Sequence, residues 1–222
     1  MNMYKLSQTC QIHNLDKIYV EYFGKCINNR LFVEIGAYDG ESVSNTSCLA
    51  DLGWKGIYVE PIHENYLKCL DRHKSNDVIV SNLSIGLDEG IQKIYSNGIL
   101  SSLDKTHADV GMSKFNYPQY KEDLCFQIQM KTFLKNYNVP RVFDLLVVDV
   151  EGKEHEVFYS FKLSEWRPKM IIVELMDDHQ FFQDNSDYIL KTKHLRHFIQ
   201  TSNYKEIYRD EINTIFVDND II

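Results

Sequence analysis

Long apolar segments are missing from this chain of 222 residues. No run of about 18 or more apolar residues occurs, so a membrane-spanning helix is not predicted. The first residues also lack the charged stretch and following apolar stretch of a secretory leader. These absences predict a soluble, cytoplasmic protein without membrane insertion. The composition, 44% hydrophobic and 25% charged, is typical of a globular domain.

Cysteine motifs and clusters of basic residues are missing as well. The cysteines are odd in number and never spaced as CxxC, which argues against a disulfide framework and a structural zinc site. They are Cys10, Cys26, Cys48, Cys69 and Cys125. The net charge is −8 and the basic residues form no block, so nucleic acid is not expected as a partner. Lys191, Lys193 and Arg196 come closest to a block, and we interpret them as a solvated helix face.

Linkers and internal repeats are also missing, so residues 1–222 are predicted to form a single domain. Short apolar runs alternate with stretches of helical period, which is typical of a parallel sheet covered on both faces. The predicted strands are residues 31–35, 56–59, 78–80, 143–148, 170–175, 205–208 and 212–217. The predicted helices are residues 41–52, 64–73 and 186–201.

The last two predicted strands are so close in sequence that they suit a hairpin, which makes the end of the sheet antiparallel. A dinucleotide dehydrogenase would end instead in a sixth parallel strand. The expected fold is therefore α/β and Rossmann-like, of the class I methyltransferase type. It has a mostly parallel seven-stranded sheet with an antiparallel terminal hairpin and helices on both faces.

Two segments outside this pattern receive their own predictions. Residues 1–30 are predicted to form a helical segment ahead of the first strand, with Tyr19, Tyr22 and Phe23 on its apolar side. Residues 98–123 show no clear period, which predicts a long loop that serves as a lid or as part of an acceptor site.

An acidic residue and two glycines follow the first predicted strand, in the order Glu34, Gly36 and Gly40. Gly36 would allow a sharp turn and a close approach of the backbone to a ligand, while the next helix begins near Gly40. A tight strand-to-helix turn without a ligand remains the alternative.

A second acidic residue, Glu60, ends the next strand and is followed by Pro61. A carboxylate there can accept hydrogen bonds from both ribose hydroxyls of NAD or of S-adenosylmethionine. The loop before it lacks the third glycine of the dinucleotide fingerprint, and Asp39 within it would repel a pyrophosphate. The acidic loop therefore favours a cationic sulfonium with an amino-acid tail.

Further carboxylates follow the strands at 143–148 and 170–175. Asp149 and Glu151 are expected at the sheet edge where ligands bind, as a base or an orienting group for an acceptor hydroxyl. The alternative is that they cap the following helix. His179 is a second candidate base, or a solvated loop histidine. Asp149 with Asp177 or Asp178 could hold a divalent cation, but no metal site is predicted.

Several motifs in order make the chain resemble the FkbM family of S-adenosylmethionine-dependent O-methyltransferases. The most specific is DVEGKE at 149–154, similar to the family's DVEGAE signature. The others are residues 34–40, SNT at 44–46, GWKG at 53–56, VEP at 59–61, SSLD at 101–104, RPK at 167–169, VE at 173–174 and NTIFV at 213–217.

The resemblance implies where the cofactor lies. Residues at the first loop would surround the methionine end, Glu60 the ribose, and the residues after the third strand the adenine. The cofactor-binding set is Glu34, Gly36, Ala37, Tyr38, Asp39, Gly40, Glu60, Pro61, Asn82, Leu83, Ser84 and Asp149. Tyr38 stands where the family often has Asn, and His155 where Leu is common.

The resemblance also implies transfer of a methyl group to a hydroxyl, with S-adenosylhomocysteine as the product. The family acts on sugars of glycans and on polyketide-type natural products, and the aromatic residues in and beside 98–123, in a loop without a broad apolar stripe, favour a sugar here. These are Tyr95, Phe115, Tyr117 and Tyr120. The alternative is that these aromatic residues anchor the loop to the domain. A nicotinamide-dependent oxidoreductase and a catalytically inactive binding module are the rival hypotheses, and the oligomeric state, a homodimer included, is left open.

Overall fold

The computed structural model describes residues 4–24, 29–114 and 119–220. The helices are α1 (Leu15–Phe23), α2 (Ser47–Asp51), α3 (His63–Arg72), α4 (Lys105–Lys114), α5 (Met130–Asn136), α6 (Glu154–Tyr159) and α7 (Ser186–Thr201). The strands are β1 (Leu31–Ile35), β2 (Lys55–Val59), β3 (Val78–Ser81), β4 (Ser84–Ile85), β5 (Gly90–Ser96), β6 (Lys121–Ile128), β7 (Val142–Val148), β8 (Arg167–Glu174), β9 (Tyr204–Arg209) and β10 (Asn213–Asp218). Short 3₁₀ turns cover Gly98–Leu100 and Gln180–Phe182.

Seven strands form the main sheet in the order β3-β2-β1-β7-β8-β10-β9. Every neighbouring pair is parallel except those that involve β10, which runs antiparallel to both β8 and β9. All seven strands overlap the predicted ones, and the hairpin of β9 and β10 ends the sheet as expected. The predicted fold class is confirmed.

Both faces of the sheet are covered because successive side chains of its central strands alternate between two apolar clusters. In β7, Leu146 and Val148 pack with helices α5, α6 and α7 on one face. Leu145 and Val147 pack with α1, α2 and α3 on the other face. The described part of the chain contains no helix that is both long and apolar enough to span a bilayer.

A second sheet, with the order β4-β6-β5, was not predicted. In β6 the pattern is misleading, because the apolar Leu124 and Phe126 are exposed while Cys125 and Gln127 are buried. The more apolar face of this strand is thus turned to solvent, so its sequence does not show the pattern of a half-buried strand.

The prediction of one long loop over 98–123 is wrong. The segment contains a 3₁₀ turn, helix α4 and the first residues of β6. Helix α4 escaped prediction because the residues it buries fully are His107 and Ala108, which make no apolar stripe. Phe115 and Tyr117 lie outside the described residues, as does Cys26.

Two other predicted helices are shorter than expected. Residues 41–46 are not helical, because the Asp39 carboxylate accepts the amides of Glu41 and Ser42 in a turn. The helix therefore begins only at Ser47. The N-terminal segment is helical over Leu15–Phe23 alone, where Tyr19 and Phe23 are buried and Tyr22 is half-buried.

Arg196 does not belong to a solvated helix face as predicted. Its guanidinium is buried between α7 and the sheet, where it donates to Asp177 at 2.6 Å and to Glu206 at 2.9 Å. This ion pair links α7 to the chain that follows β8, and it gives the buried Asp177 carboxylate a partner of opposite charge. Lys193, on the same helix, is exposed as expected.

Glu34 is buried beneath the first loop, on the face of β1 that carries Phe32. It contacts Thr46 Oγ1, and Thr46 Oγ1 lies 3.0 Å from the Tyr58 hydroxyl. Burial raises the pKa of Glu34 to about 8, against the opposing hydrogen bond from Thr46.

We expect Glu34→Gln to make stability less dependent on pH. The folded chain retains a proton on Glu34 that the unfolded chain loses near its ordinary pKa of 4.5, so stability falls as pH rises from there to about 8. Glutamine removes this loss. Relative to the native chain, the variant should gain on the order of a few kcal/mol between about pH 5 and about pH 8, measured by urea denaturation.

The exposed Glu122→Gln serves as the control. If the free energies of unfolding of Glu34→Gln and the native chain differ by the same amount at both pH values, the prediction is wrong.

Candidate active site

A cavity of about 190 Å³ opens at the carboxyl ends of the central strands. Gly36 follows β1, Glu60 follows β2, Asp149 follows β7, and Glu174 ends β8; all four line it. The segment after β5 lies over the same cavity and contributes Ile99, Leu100, Leu103 and other residues up to His107. Ligands of open α/β sheets bind at this edge.

Gly36 allows the strand ends at the bottom of the cavity to pack closely together. Its φ of +92° lies in the left-handed region, and a Cβ placed on it would sit 1.6 Å from the carbonyl oxygen of Asp149. Its amide donates to the Val59 carbonyl at 2.9 Å. No other residue type fits both the conformation and the space, so the loop presents bare backbone at this one position.

Glu60 is fixed by backbone amides on both sides. Its Oε1 accepts from Ile62 at 2.8 Å, and its Oε2 accepts from Tyr38 at 2.9 Å. Burial raises the pKa of Glu60 to about 7 although these hydrogen bonds act in the opposite direction. The carboxylate, which also receives a hydrogen bond from the Asn65 side chain, is thus rigidly oriented beside the cavity and keeps acceptor capacity for a ligand hydroxyl.

Three carboxylates converge at the other end of the cavity. Asp149, Glu151 and Glu174 each offer an oxygen, and these oxygens lie within 4.8 Å of one another. Burial raises all three pKa values, and for Asp149 and Glu174 the neighbouring negative charges raise them further. None of the described residues that line the cavity is Lys or Arg. The site is therefore strongly acidic.

Glu151 does not cap the helix that follows it. Glu154, the first residue of α6, holds the turn before the helix instead, since its Oε1 accepts from the amides of Val150 and Gly152 at 3.1 Å. Glu151 has a left-handed φ of 55°, and its Oε2 lies 2.9 Å from Nε2 of His107. Its carboxylate is thereby directed toward the cavity and α4 rather than along α6.

His107 was not predicted from the sequence. It is buried, and its ring stacks on Phe182 with 4.8 Å between ring centroids. Burial lowers its pKa, while nearby acidic groups oppose the shift. The available signal was the SSLD motif just before it, because Ser102 donates to the Glu151 carbonyl and Asp104 accepts the amide of Thr106 at the start of α4.

His179 lines the cavity and is buried. The neighbouring Asp177 and Asp178 turn elsewhere, since both pair with Arg209 and Asp177 also pairs with Arg196. The carboxylates that meet Asp149 are therefore Glu151 and Glu174, in place of the Asp177 or Asp178 suggested by the sequence.

The predicted cofactor residues divide into two groups. Those that line the cavity are Gly36, Tyr38, Glu60, Pro61, Ser84 and Asp149. Those that do not line it are Glu34, Ala37, Asp39, Gly40, Asn82 and Leu83. Among the second group, Asn82 donates to the carbonyls of Glu60 and Pro61, and Gly40 lies against His73. Direct cofactor contacts remain a prediction for both groups.

The family model of the methyltransferase FkbM domain matches residues 34–206. This chain belongs to the FkbM methyltransferase family. The resemblance inferred from the motifs is confirmed, and with it the class of S-adenosylmethionine-dependent methyltransferase. A comparison with curated proteins found no match.

Two solved structures illustrate the likeness of the FkbM chain to other methyltransferases. An O-methyltransferase from Bacillus cereus, in complex with SAH, has a TM-score of 0.52 at 13% identity. A putative O-methyltransferase from Klebsiella pneumoniae has a TM-score of 0.55 at 10% identity. Each comparison covers 96% of this chain and 84% of the other. At such identities the likeness shows the fold.

The cavity of this FkbM protein fits S-adenosylmethionine on two structural grounds. Gly36 lines the cavity without a side chain, since the Asp149 carbonyl fills the place of a Cβ, and Glu60 presents a fixed carboxylate at the position that suits a ribose. The acidic surroundings also suit a ligand with a sulfonium and an ammonium group.

We expect Gly36→Ala to destabilise the protein much more than Gly53→Ala. Both glycines have a left-handed φ, +92° and +88°, but a Cβ on Gly53 meets nothing within 4 Å. Gly53→Ala should cost about 1 kcal/mol for its conformation alone, whereas Gly36→Ala adds a collision with backbone and should cost several kcal/mol. Urea denaturation measures both; equal losses would show that the Asp149 carbonyl can move aside.

Proposed function

We propose that this protein is an S-adenosylmethionine-dependent O-methyltransferase whose acceptor is a hydroxyl of a sugar in a glycan. The observation that supports this most is the row of carboxylates along one sheet edge, with Glu60 at one end of the cavity and Asp149, Glu151 and Glu174 at the other. One end suits the cofactor ribose, and the other suits a second hydroxyl-bearing molecule.

The cofactor would lie along the first loop. Gly36 and Tyr38 would contact its methionine end, Glu60 its ribose and Ser84 the adenine side, while Asn82 would hold the Glu60 turn from behind. S-adenosylmethionine supplies an activated methyl group on a cationic sulfur. The rigid support of Glu60 by two backbone amides favours binding, because the carboxylate is already oriented before the ligand arrives.

The acceptor hydroxyl would be held by the carboxylates after β7. Glu151, with His107 at 2.9 Å, accepts the hydroxyl proton on its carboxylate, and Asp149 orients the oxygen. His179 is a further proton acceptor on the same wall. Most of the rate would come from positioning, since the two reacting atoms must be held in line within a cavity that excludes water.

Two observations bear on the acceptor. Several converging carboxylates suit a molecule rich in hydroxyls. Tyr95, near the end of β5 and just before the segment that lies over the cavity, packs edge-on against Tyr120, and this pair would offer an aromatic surface to a sugar ring. The apolar residues that lie over the cavity, Ile99, Leu100 and Leu103, instead favour a less polar acceptor. A polyketide-type natural product is therefore the second candidate.

We expect the protein to bind S-adenosylhomocysteine, and Glu60→Gln to weaken that binding at least tenfold. The amide cannot accept all the hydrogen bonds of the carboxylate, and a lost bond to a charged group costs about 1.5–3 kcal/mol. Isothermal titration calorimetry measures the affinity. Glu64→Gln, an exposed glutamate on α3, is the matched control.

NAD is the control ligand. Saturable binding of NAD instead of S-adenosylhomocysteine would overturn the methyltransferase proposal in favour of the oxidoreductase.

We expect methyl transfer to sugar hydroxyls, with loss of kcat by about 100-fold or more in Glu151→Gln, because the proton acceptor is removed. Transfer of a labelled methyl group to a panel of glycans and polyketide alcohols measures it. Glu156→Gln, on the outer side of α6, is the control. Transfer only to polyketide alcohols would select the second candidate, and cofactor binding without any transfer would favour an inactive binding module.

A further inference from the structure

The three converging carboxylates come from two neighbouring strands. β7 and β8 run parallel with Val148 opposite Val173, so Asp149 and Glu174 leave the sheet side by side. Glu151 returns to the same point because its left-handed backbone turns the chain after Asp149. The convergence of their oxygens within 4.8 Å is therefore built into the register of the sheet and the turn that follows it.

Glu174 adds an independent observation. Only 5% of the residue is exposed, yet its Oε2 has no hydrogen-bond partner among the described residues. The residue lines the cavity beside Asp149. A buried carboxylate oxygen without a donor is costly, so its position indicates a ligand that it meets there.

Cationic side chains near this sheet edge are engaged by other acids. Arg196 and Arg209 pair with Asp177, at 2.6 Å and 3.3 Å. No Lys or Arg is found among the described cavity-lining residues. Among the described hydrogen bonds, His107 bonds to Glu151 and to neither of the other two carboxylates. No described side chain therefore supplies the positive charge that would let all three carboxylates ionise together, and a bound cation would supply it.

We propose that Asp149, Glu151 and Glu174 bind one hard divalent cation, Mg²⁺ or Mn²⁺. All the donors are oxygens, which these ions prefer, whereas zinc sites are built mainly from sulfur and nitrogen. Three carboxylates leave coordination positions for water and for an acceptor oxygen. Binding of the cation stands on its own; its role beside an acceptor hydroxyl rests on the proposed function.

Electron paramagnetic resonance of added Mn²⁺ tests the site in the full-length protein without cofactor. We expect one Mn²⁺ per chain, displaced by excess Mg²⁺, and affinity reduced at least tenfold in Glu174→Gln and in Asp149→Asn. Glu122→Gln, an exposed carboxylate on β6, should bind Mn²⁺ as the native chain does. The absence of bound Mn²⁺, or equal binding by native chain and Glu174→Gln, would overturn the proposal.

Thermal unfolding shows whether these variants fold. Without metal, Glu174→Gln should unfold at the same or a higher temperature than the native chain, because it removes a buried acid whose ionised form the fold disfavours. Mn²⁺ should raise the Tm of the native chain but not that of the variant. A rise of equal size in both would count against the site.

S-adenosylhomocysteine titration of the same proteins separates the two proposals. Cofactor binding without Mn²⁺ binding would leave the methyltransferase proposal standing and remove the cation site. Mn²⁺ binding that depends on Glu174, without cofactor binding, would support the cation site and contradict the methyltransferase proposal.

Discussion

The carbonyl of Asp149 lies so close to Gly36 that the loop after β1 has no room for a side chain there. The contact joins two neighbouring strands, because the Asp149 amide also donates to the Ile35 carbonyl at 2.9 Å. On the other side of β1, the Gly36 amide donates to Val59. Three strand ends are thereby held in one rigid edge, and the positions of Glu60 and Asp149 follow from it.

That edge concentrates negative charge. The carboxylates at the ends of β1, β2 and β8 are buried and Asp149 after β7 is half-buried, and the raised pKa values of Glu34 and Glu60 show how strongly burial opposes their charge. The described arginines and lysines near this end are paired elsewhere in the fold. A cationic cofactor beside Glu60, and a divalent cation beside Asp149, would supply the positive charge that the side chains around the cavity do not provide.

The main sheet could be predicted because its strands are apolar runs buried on both faces, and such runs survive in the sequence as short unbroken segments. Strand β1 has the predicted ends, and α7 does as well. The small sheet and α4 could not be predicted in the same way. In β6 the apolar residues face outward, and α4 is held by His107 and its caps rather than by an apolar stripe.

The sequence by itself determined the family, the order of the strands and the acidic residues at their ends, because these depend on local patterns and contiguous motifs. Only the tertiary structure decided which acids meet. Glu34 belongs to the far face of β1, since alternate residues of a strand point to opposite sides. Glu174 joins Asp149 through the pairing of β7 with β8, and His107 reaches Glu151 across 44 residues of sequence. Such convergence is set by the register of neighbouring strands and the packing of α4, which no local pattern records.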